Sequence, residues 1–289
     1  MAIAIFDIFE TLLNPEDQGR MTNHISWIVW RTCKLLPIQI MNYAGPLAYV
    51  SVLFTWALLL ITGGALVYWP FMPDSFAYDS GLDPEHRTGF MTAFYLSFVS
   101  FATLGYGDIT PTATWLRILG PLQTLIGFFL LSAAITWILA IYQDIETRRT
   151  LAHETTLLKQ ALDQGDHRLS GLPSHSIEQL LDELTTRFVS VSGSLNQFPI
   201  TYFFRISDER QSIAVMALFL SDITEELSHE DLPAEVRLRA RMLAGALDHF
   251  AEALQGRFVD ARPGATTRDV LEAYAADHQR AITQTRNGE

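Results

Sequence analysis

Near the middle of the chain, Thr103-Leu104-Gly105-Tyr106-Gly107-Asp108 ends an apolar run with two glycines, a large aromatic ring, a hydroxyl and a carboxylate. The run, Thr88–Asp108, carries no other charge. No helix favours Gly-Tyr-Gly as its continuation. In water such a segment passes as a turn. At membrane depth, non-helical backbone is tolerated only where protein buries it or a water-filled cavity receives it. The groups on offer are main-chain carbonyls, one hydroxyl and one carboxylate. No nucleophile–base constellation and no metal-ligand spacing accompanies them, so an enzyme is not expected.

The flanking elements decide between a turn and something more. No charge falls between Lys34 and Asp74, and Pro46–Trp69 inside that gap is long enough to cross a bilayer, which needs ~20 apolar residues. A second charge-free stretch, Ile118–Gln143, also spans. Tyr68, Trp69, Trp115, Trp137 and Tyr142 sit near the ends of these runs, as interfacial aromatics do. The chain of 289 residues is 49% hydrophobic, yet its charge is uneven. Up to Ile141 there are five basic and nine acidic residues; from Tyr142 onward there are fifteen and twenty-three. An apolar N-terminal half is therefore joined to a charged C-terminal half. The net charge of −12 argues against nucleic-acid binding, which needs a basic footprint. The lone Cys33 excludes an internal disulfide. The first residues carry Asp7 and Glu10 and no positive n-region, unlike a secretory signal.

The run Thr88–Asp108 is either a third span or a segment that dips in and returns. Arg20, Arg31 and Lys34 precede the first span, Arg148 and Arg149 follow the second, and only Arg87 lies between the first span and the dip. The positive-inside rule then puts both termini in the cytoplasm, which requires a re-entrant segment.

Taken together, Thr103–Asp108 resembles the selectivity filter of potassium channels, whose usual form has Val where Leu104 stands. The likeness covers roughly Leu47–Gln143 and is closest to the two-transmembrane, prokaryotic-type members. It implies that backbone carbonyls of Thr103, Leu104, Gly105, Tyr106 and Gly107 replace the hydration shell of K+. Gly105 and Gly107 permit the left-handed conformations needed at alternate residues. Leu104 and Tyr106 turn outward, and Asp108 lies at the outer mouth. Phe90–Ala102 matches the pore helix. Gly127 falls where the family keeps an inner-helix hinge; close helix packing is the other reading. In a well-studied bacterial relative a pore-helix glutamate pairs with the filter aspartate. Val99 stands at the matching position here, which leaves Tyr95 to hold Asp108 and implies altered inactivation.

One chain supplies one filter strand, so the resemblance implies a homotetramer in the cell membrane, surrounded by lipid, with K+ as permeant ion and no other cofactor. Leu131, Ile135 and Leu139 recur at i, i+4, i+8 and form an apolar gate if they face the axis. Otherwise they pack on the outer helix or lipid.

The predicted fold is all-α: a tetrameric two-span pore with a re-entrant pore helix, plus a soluble cytoplasmic bundle. Residues 1–45 form cytoplasmic or interfacial helices, with Ile5, Phe6 and Phe9 on one side and Asp7 and Glu10 on the other. The pore occupies 46–143 (outer helix 46–69, pore helix 90–102, filter 103–108, inner helix 116–143). A helical linker and loop covers 144–175. The regulatory bundle covers 176–289, with helices from Ser207, after Pro233 and over Thr267–Ile282, and Phe198–Ile206 as strand or buried connector. The bundle shows no G-x-G-x-x-G fingerprint, and no arginine-rich voltage sensor is present. Asp163, Asp166, His167 and His175 read as solvated loop residues rather than a metal site. Arg237, Arg239 and Arg241 either bind anions or face water. Two further readings stand beside the potassium channel: a membrane sensor or scaffold whose bundle binds a partner, and a non-selective cation pore. Tyr106 argues against the latter.

Overall fold

The computed structural model describes residues 2–14, 19–165, 168–206, 212–229, 231–260, 262 and 264–278. Ten α-helices and one two-stranded sheet account for most of them. They form two compact units: residues 1–31 with 46–140, and residues 32–45 with 141–289. Segment 1–45 is thus shared between the units instead of standing alone.

The first unit takes in α1 (Ala2–Leu13), most of α2 (Arg20–Lys34) and most of the outer helix α4 (Ala44–Tyr68); α3 (Ile38–Met41), between α2 and α4 in the chain, belongs to the second unit. α4 is apolar on every side, and the helix exposes Leu47, Val50, Phe54, Leu58 and Leu66. Such all-round apolarity belongs in lipid or in an assembly. α5 (Phe90–Phe101) is three turns long, too short to cross. It stops at Ala102, ahead of the filter segment. Strand β1 (Phe76–Tyr78) pairs antiparallel with β2 (Ile109–Pro111), Ala77 opposite Thr110. This short ladder brackets the filter. Tyr68, Met72, Phe76, Ala93, Leu96, Ile109 and Leu116 form a core that joins the end of α4, the middle of α5, and β2 with the residues that follow it.

α6 (Thr114–Gly165) is one continuous helix of 52 residues. At 1.5 Å per residue it is about 78 Å long, well beyond a bilayer core of ~30 Å. Its charges resume at Asp144, and the helix continues without a break to Gly165, within the helical linker and loop expected over 144–175.

The N-terminal helices differ from expectation. Asp7 is not on a water-facing side; it is buried. Its carboxylate accepts from Met21 N at 2.9 Å, Thr22 N at 3.2 Å, Thr22 Oγ1 at 2.7 Å and Trp56 Nε1 at 2.9 Å. The first N–H groups of α2 have no partner within the helix, and a carboxylate from α1 supplies one where the helix dipole favours negative charge. Trp56 then ties this pair of helices to α4. Phe6 and Phe9 remain exposed, as expected for the apolar side.

In the second unit α7 (Ser174–Gln197), α8 (Ile213–Glu226), α9 (Ala234–Arg257) and α10 (Thr267–Asp277) pack as a bundle. Leu181, Leu184, Phe188 and Val191 of α7 meet Leu243, Leu247, Phe250 and Leu254 of α9 in its core, with Phe188 edge-on to Phe250 at 5.4 Å. Phe198–Ile206 is a buried connector, helical over Pro199–Phe203, not a strand. Within it Tyr202 stacks on Phe258 at 4.2 Å. α8 begins after Ser212; the expected cap Ser207 lies outside the described residues. α10 carries a Thr266–Asp269 capping box and ends at Asp277; residues 279–289, and with them Ile282, lie outside the description.

Candidate functional site

The filter segment adopts the conformation that its glycines permit, at one residue more than they account for. Thr103, Gly105 and Gly107 have φ of 60°, 56° and 79°. Left-handed backbone therefore falls at every second residue, which turns successive carbonyls toward one side instead of alternating. Glycine accepts this freely; Thr103, a β-branched residue, is strained there. Strain of this kind concentrates at functional sites.

Four hydrogen bonds hold the segment. Thr103 N donates to Ser100 O at 3.1 Å and Leu104 N to Val99 O at 3.0 Å, so the last turn of α5 carries the first two filter residues. At the far end Asp79 N donates to Asp108 O at 2.9 Å. Tyr95 Oη donates to Asp108 Oδ2 at 2.7 Å. That is the partner expected for Asp108 once Val99 replaces a carboxylate. Val99 is buried, whereas the Leu104 and Tyr106 side chains are largely exposed.

Gly127 sits against the end of α5. A Cβ built there would fall onto the carbonyl oxygen of Phe101. Close packing is sufficient reason for this glycine, and the helix is uninterrupted through it.

Of the two sides of α6, Leu130, Ala134, Trp137 and Ile141 face the chain's interior. Trp137 packs on Tyr49 and Trp56, with ring centroids 5.1 and 5.9 Å apart. Leu131, Ile135 and Leu139 point elsewhere, with relative exposures of 61%, 53% and 65%. The alternative that this stripe packs on the outer helix of its own chain is excluded.

Sequence reasoning missed Gln123. Buried within α6, it accepts from Tyr68 Oη at 2.8 Å and donates to Ser97 Oγ at 2.6 Å. Its signal was its polarity inside a span, where polar side chains are expensive.

Among the other candidate side chains, Arg239 and His86 form ion pairs. Arg239 pairs with Asp182 at 3.0 Å and Glu178 at 3.6 Å, joining α9 to α7. His86 pairs with Asp83 at 2.7 Å on the surface. Asp166 and His167 lie outside the described residues, and among the described ones no three His, Cys, Asp or Glu converge as a metal site.

In the second unit the segment before α4 is held by charge. Lys34 bonds Asp277, Tyr202 Oη bonds the other Asp277 oxygen at 2.7 Å, and Arg205 bonds Asn42. Burial pushes the Asp277 carboxyl up, but the bonds from Lys34 and Tyr202 outweigh it and hold it below the ordinary carboxylate value. Burial, with Asp277 beside it, pushes the Tyr202 phenol far upward. Where α6 leaves the charge-free stretch, a buried Arg148 pairs with Asp144 at 3.0 Å and bonds Ser194 Oγ at 3.0 Å.

The profile of a family described as "Ion channel" matches residues 55–144. A curated relative, the "Uncharacterized membrane protein YdjJ" of Bacillus subtilis (strain 168), is 22% identical over 219 residues. The match takes in 74% of this chain and 63% of the relative's length. It is longer than the ion-channel match, so the likeness to that membrane protein reaches beyond residues 55–144. No solved structure matches.

Proposed function

We propose that four copies of this chain form a potassium-selective channel in the cell membrane, with both termini in the cytoplasm. The observation that carries this reading is the alternation of left-handed residues at Thr103, Gly105 and Gly107, at the end of a helix too short to span and between two that are long enough. Potassium must shed its water and be repaid by oxygen dipoles. Carboxylates would hold it too tightly for release, whereas stacked carbonyls bind it weakly and at several successive sites. Four strands arranged about an axis complete the cage, with Leu104 and Tyr106 wedging it against neighbouring copies. Asp108 concentrates cations at the mouth. The ion-channel match over 55–144 supports the reading; potassium as the ion rests on the filter residues.

The helical bundle is the regulatory domain in this proposal. It holds α6 through Arg148 and the segment leading into α4 through Asp277 and Arg205. A change in the bundle therefore acts on the chain next to both membrane helices.

Purified protein in liposomes tests the proposal. Potassium efflux with preference over sodium is expected, lost on Gly105→Ala or Tyr106→Ala. Robust flux through those variants with unchanged ion preference overturns the filter assignment.

A further inference from the structure

Tyr68, Ser97 and Gln123 belong to three different helices and form a closed chain of hydrogen bonds. Tyr68 of α4 donates to Gln123 Oε1 of α6 at 2.8 Å. Gln123 Nε2 donates to Ser97 Oγ of α5 at 2.6 Å and reaches Ser97 O at 3.3 Å. Ser97 Oγ then donates to Ile61 O at 2.6 Å, back on α4 two turns from Tyr68. Each of the three side chains donates into the circuit, and none of them carries charge. Gly64 lies on α4 between Ile61 and Tyr68, and a Cβ there would strike both Gln123 Nε2 and Ser97 Oγ. The outer helix has a gap where the circuit passes.

The circuit leads to the filter. One residue after Gln123, Thr124 Oγ1 donates to Ser100 O at 2.9 Å. The same oxygen accepts from Thr103 N, the first and strained filter residue. One turn on, Gly127 presses on Phe101. Successive turns of α6 thus bear on the last turns of α5, which carry Thr103 and Leu104.

We propose that Gln123 is a positioning residue for the filter: through Ser97 it fixes α5 to α6, so that the position of the inner helix sets the conformation of Thr103 and conduction is controlled at the filter itself. This rests on the filter reading above. Tyr68, Ser97 and Gln123 are all buried, so water is not at hand to replace a broken bond, and the circuit is either closed or costly. A displaced inner helix must carry α5 with it or leave Gln123 unsatisfied.

The test uses the full chain, purified as its assembly and reconstituted in liposomes, with potassium and sodium as probes. Two quantities are read: the potassium-to-sodium flux ratio, and the potassium concentration that half-protects the assembly against thermal dissociation. Gln123→Met keeps the shape and removes the bonds. Gly64→Ala keeps the polar groups and displaces them. Both are expected to lower the flux ratio and raise the half-protecting concentration about fivefold, the equilibrium weight of one buried hydrogen bond. A general loss of helix packing would lower thermal stability at every potassium concentration without moving either quantity. If Gln123→Met keeps both wild-type values, the positioning role is wrong while the filter reading stands. If the wild type shows no potassium preference, the filter reading itself fails. Should Gln123→Met not assemble, Tyr68→Phe removes a single hydroxyl from the circuit, and an unchanged flux ratio there overturns the proposal.

Discussion

The hydroxyl of Tyr95 donates to Asp108 Oδ2 across 2.7 Å, joining the second turn of α5 to the carboxylate that closes the filter segment. A bond to an ionised acceptor is worth ~1.5–3 kcal/mol, toward the lower figure where both partners meet solvent. Tyr95→Phe removes it without a change of shape. Potassium flux in liposomes is expected to start at the wild-type rate and decay sooner. Asp108→Asn should do the same, and the double variant no more than the stronger single one, because partners in one bond are not additive. Sustained wild-type flux from Tyr95→Phe would show that the bond does not hold the filter.

Gly127→Ala separates packing from hinging. The added methyl meets the Phe101 carbonyl, part of the backbone, which has little freedom to withdraw. Overpacking of this kind costs ~1–3 kcal/mol. The expected result is a less stable assembly, seen as a lower midpoint of thermal dissociation at all potassium concentrations. A hinge would give the opposite pattern: unchanged stability with altered open time in single-channel records.

The extent to which sequence foretells this molecule follows from the range of the forces involved. The spans were legible because lipid excludes charge over some twenty contiguous residues, a local property. The left-handed backbone at Gly105 and Gly107 was legible because such a conformation calls for glycine, although Thr103 takes it without that signal. Tyr95 was legible by elimination, once Val99 could not pair with Asp108. Gln123 was not. A polar residue in a span often bonds its own helix, as Thr55 does to Ser51 O and Thr136 to Ser132 O, and spacing does not tell that case from a link between helices. Asp7 misled for a related reason. Periodicity put it on the polar side of α1, but its partners are the start of α2 and a tryptophan from α4. Lys34 and Asp277 are 243 residues apart, beyond any local pattern.

That last pair makes the bundle sensitive to acid. The folded Asp277 carboxyl titrates below its ordinary value of 3.8. The sign follows: its contribution is complete above about pH 4 and is lost as pH falls through the lowered folded value. Acid unfolding followed by circular dichroism should therefore show a component below pH 4 that Asp277→Asn lacks. The variant is expected to be less stable than wild type at neutral pH, with the two converging in acid. Parallel curves down to pH 2 would mean that the Lys34–Asp277 contact contributes nothing.

The exposed stripe on α6 makes the final prediction. Leu131, Ile135 and Leu139 are exposed in the single chain, so in the proposed tetramer they would face the axis, a neighbouring copy or lipid. Only at the axis does their polarity govern water. A narrow apolar ring empties because water there loses hydrogen bonds, and an empty pore does not conduct. Ile135→Ser in a tetramer places four hydroxyls in that ring. The resting potassium leak from liposomes is then expected to rise on the order of tenfold, the effect of lowering a barrier by ~1.4 kcal/mol. Phe54→Ser, at an exposed position on α4, is the comparison. A lipid-facing hydroxyl lowers stability in the bilayer without opening a path for ions. If both variants leave the leak at the wild-type level, the stripe is not the constriction, and control of conduction falls to the filter and the helix contacts behind it.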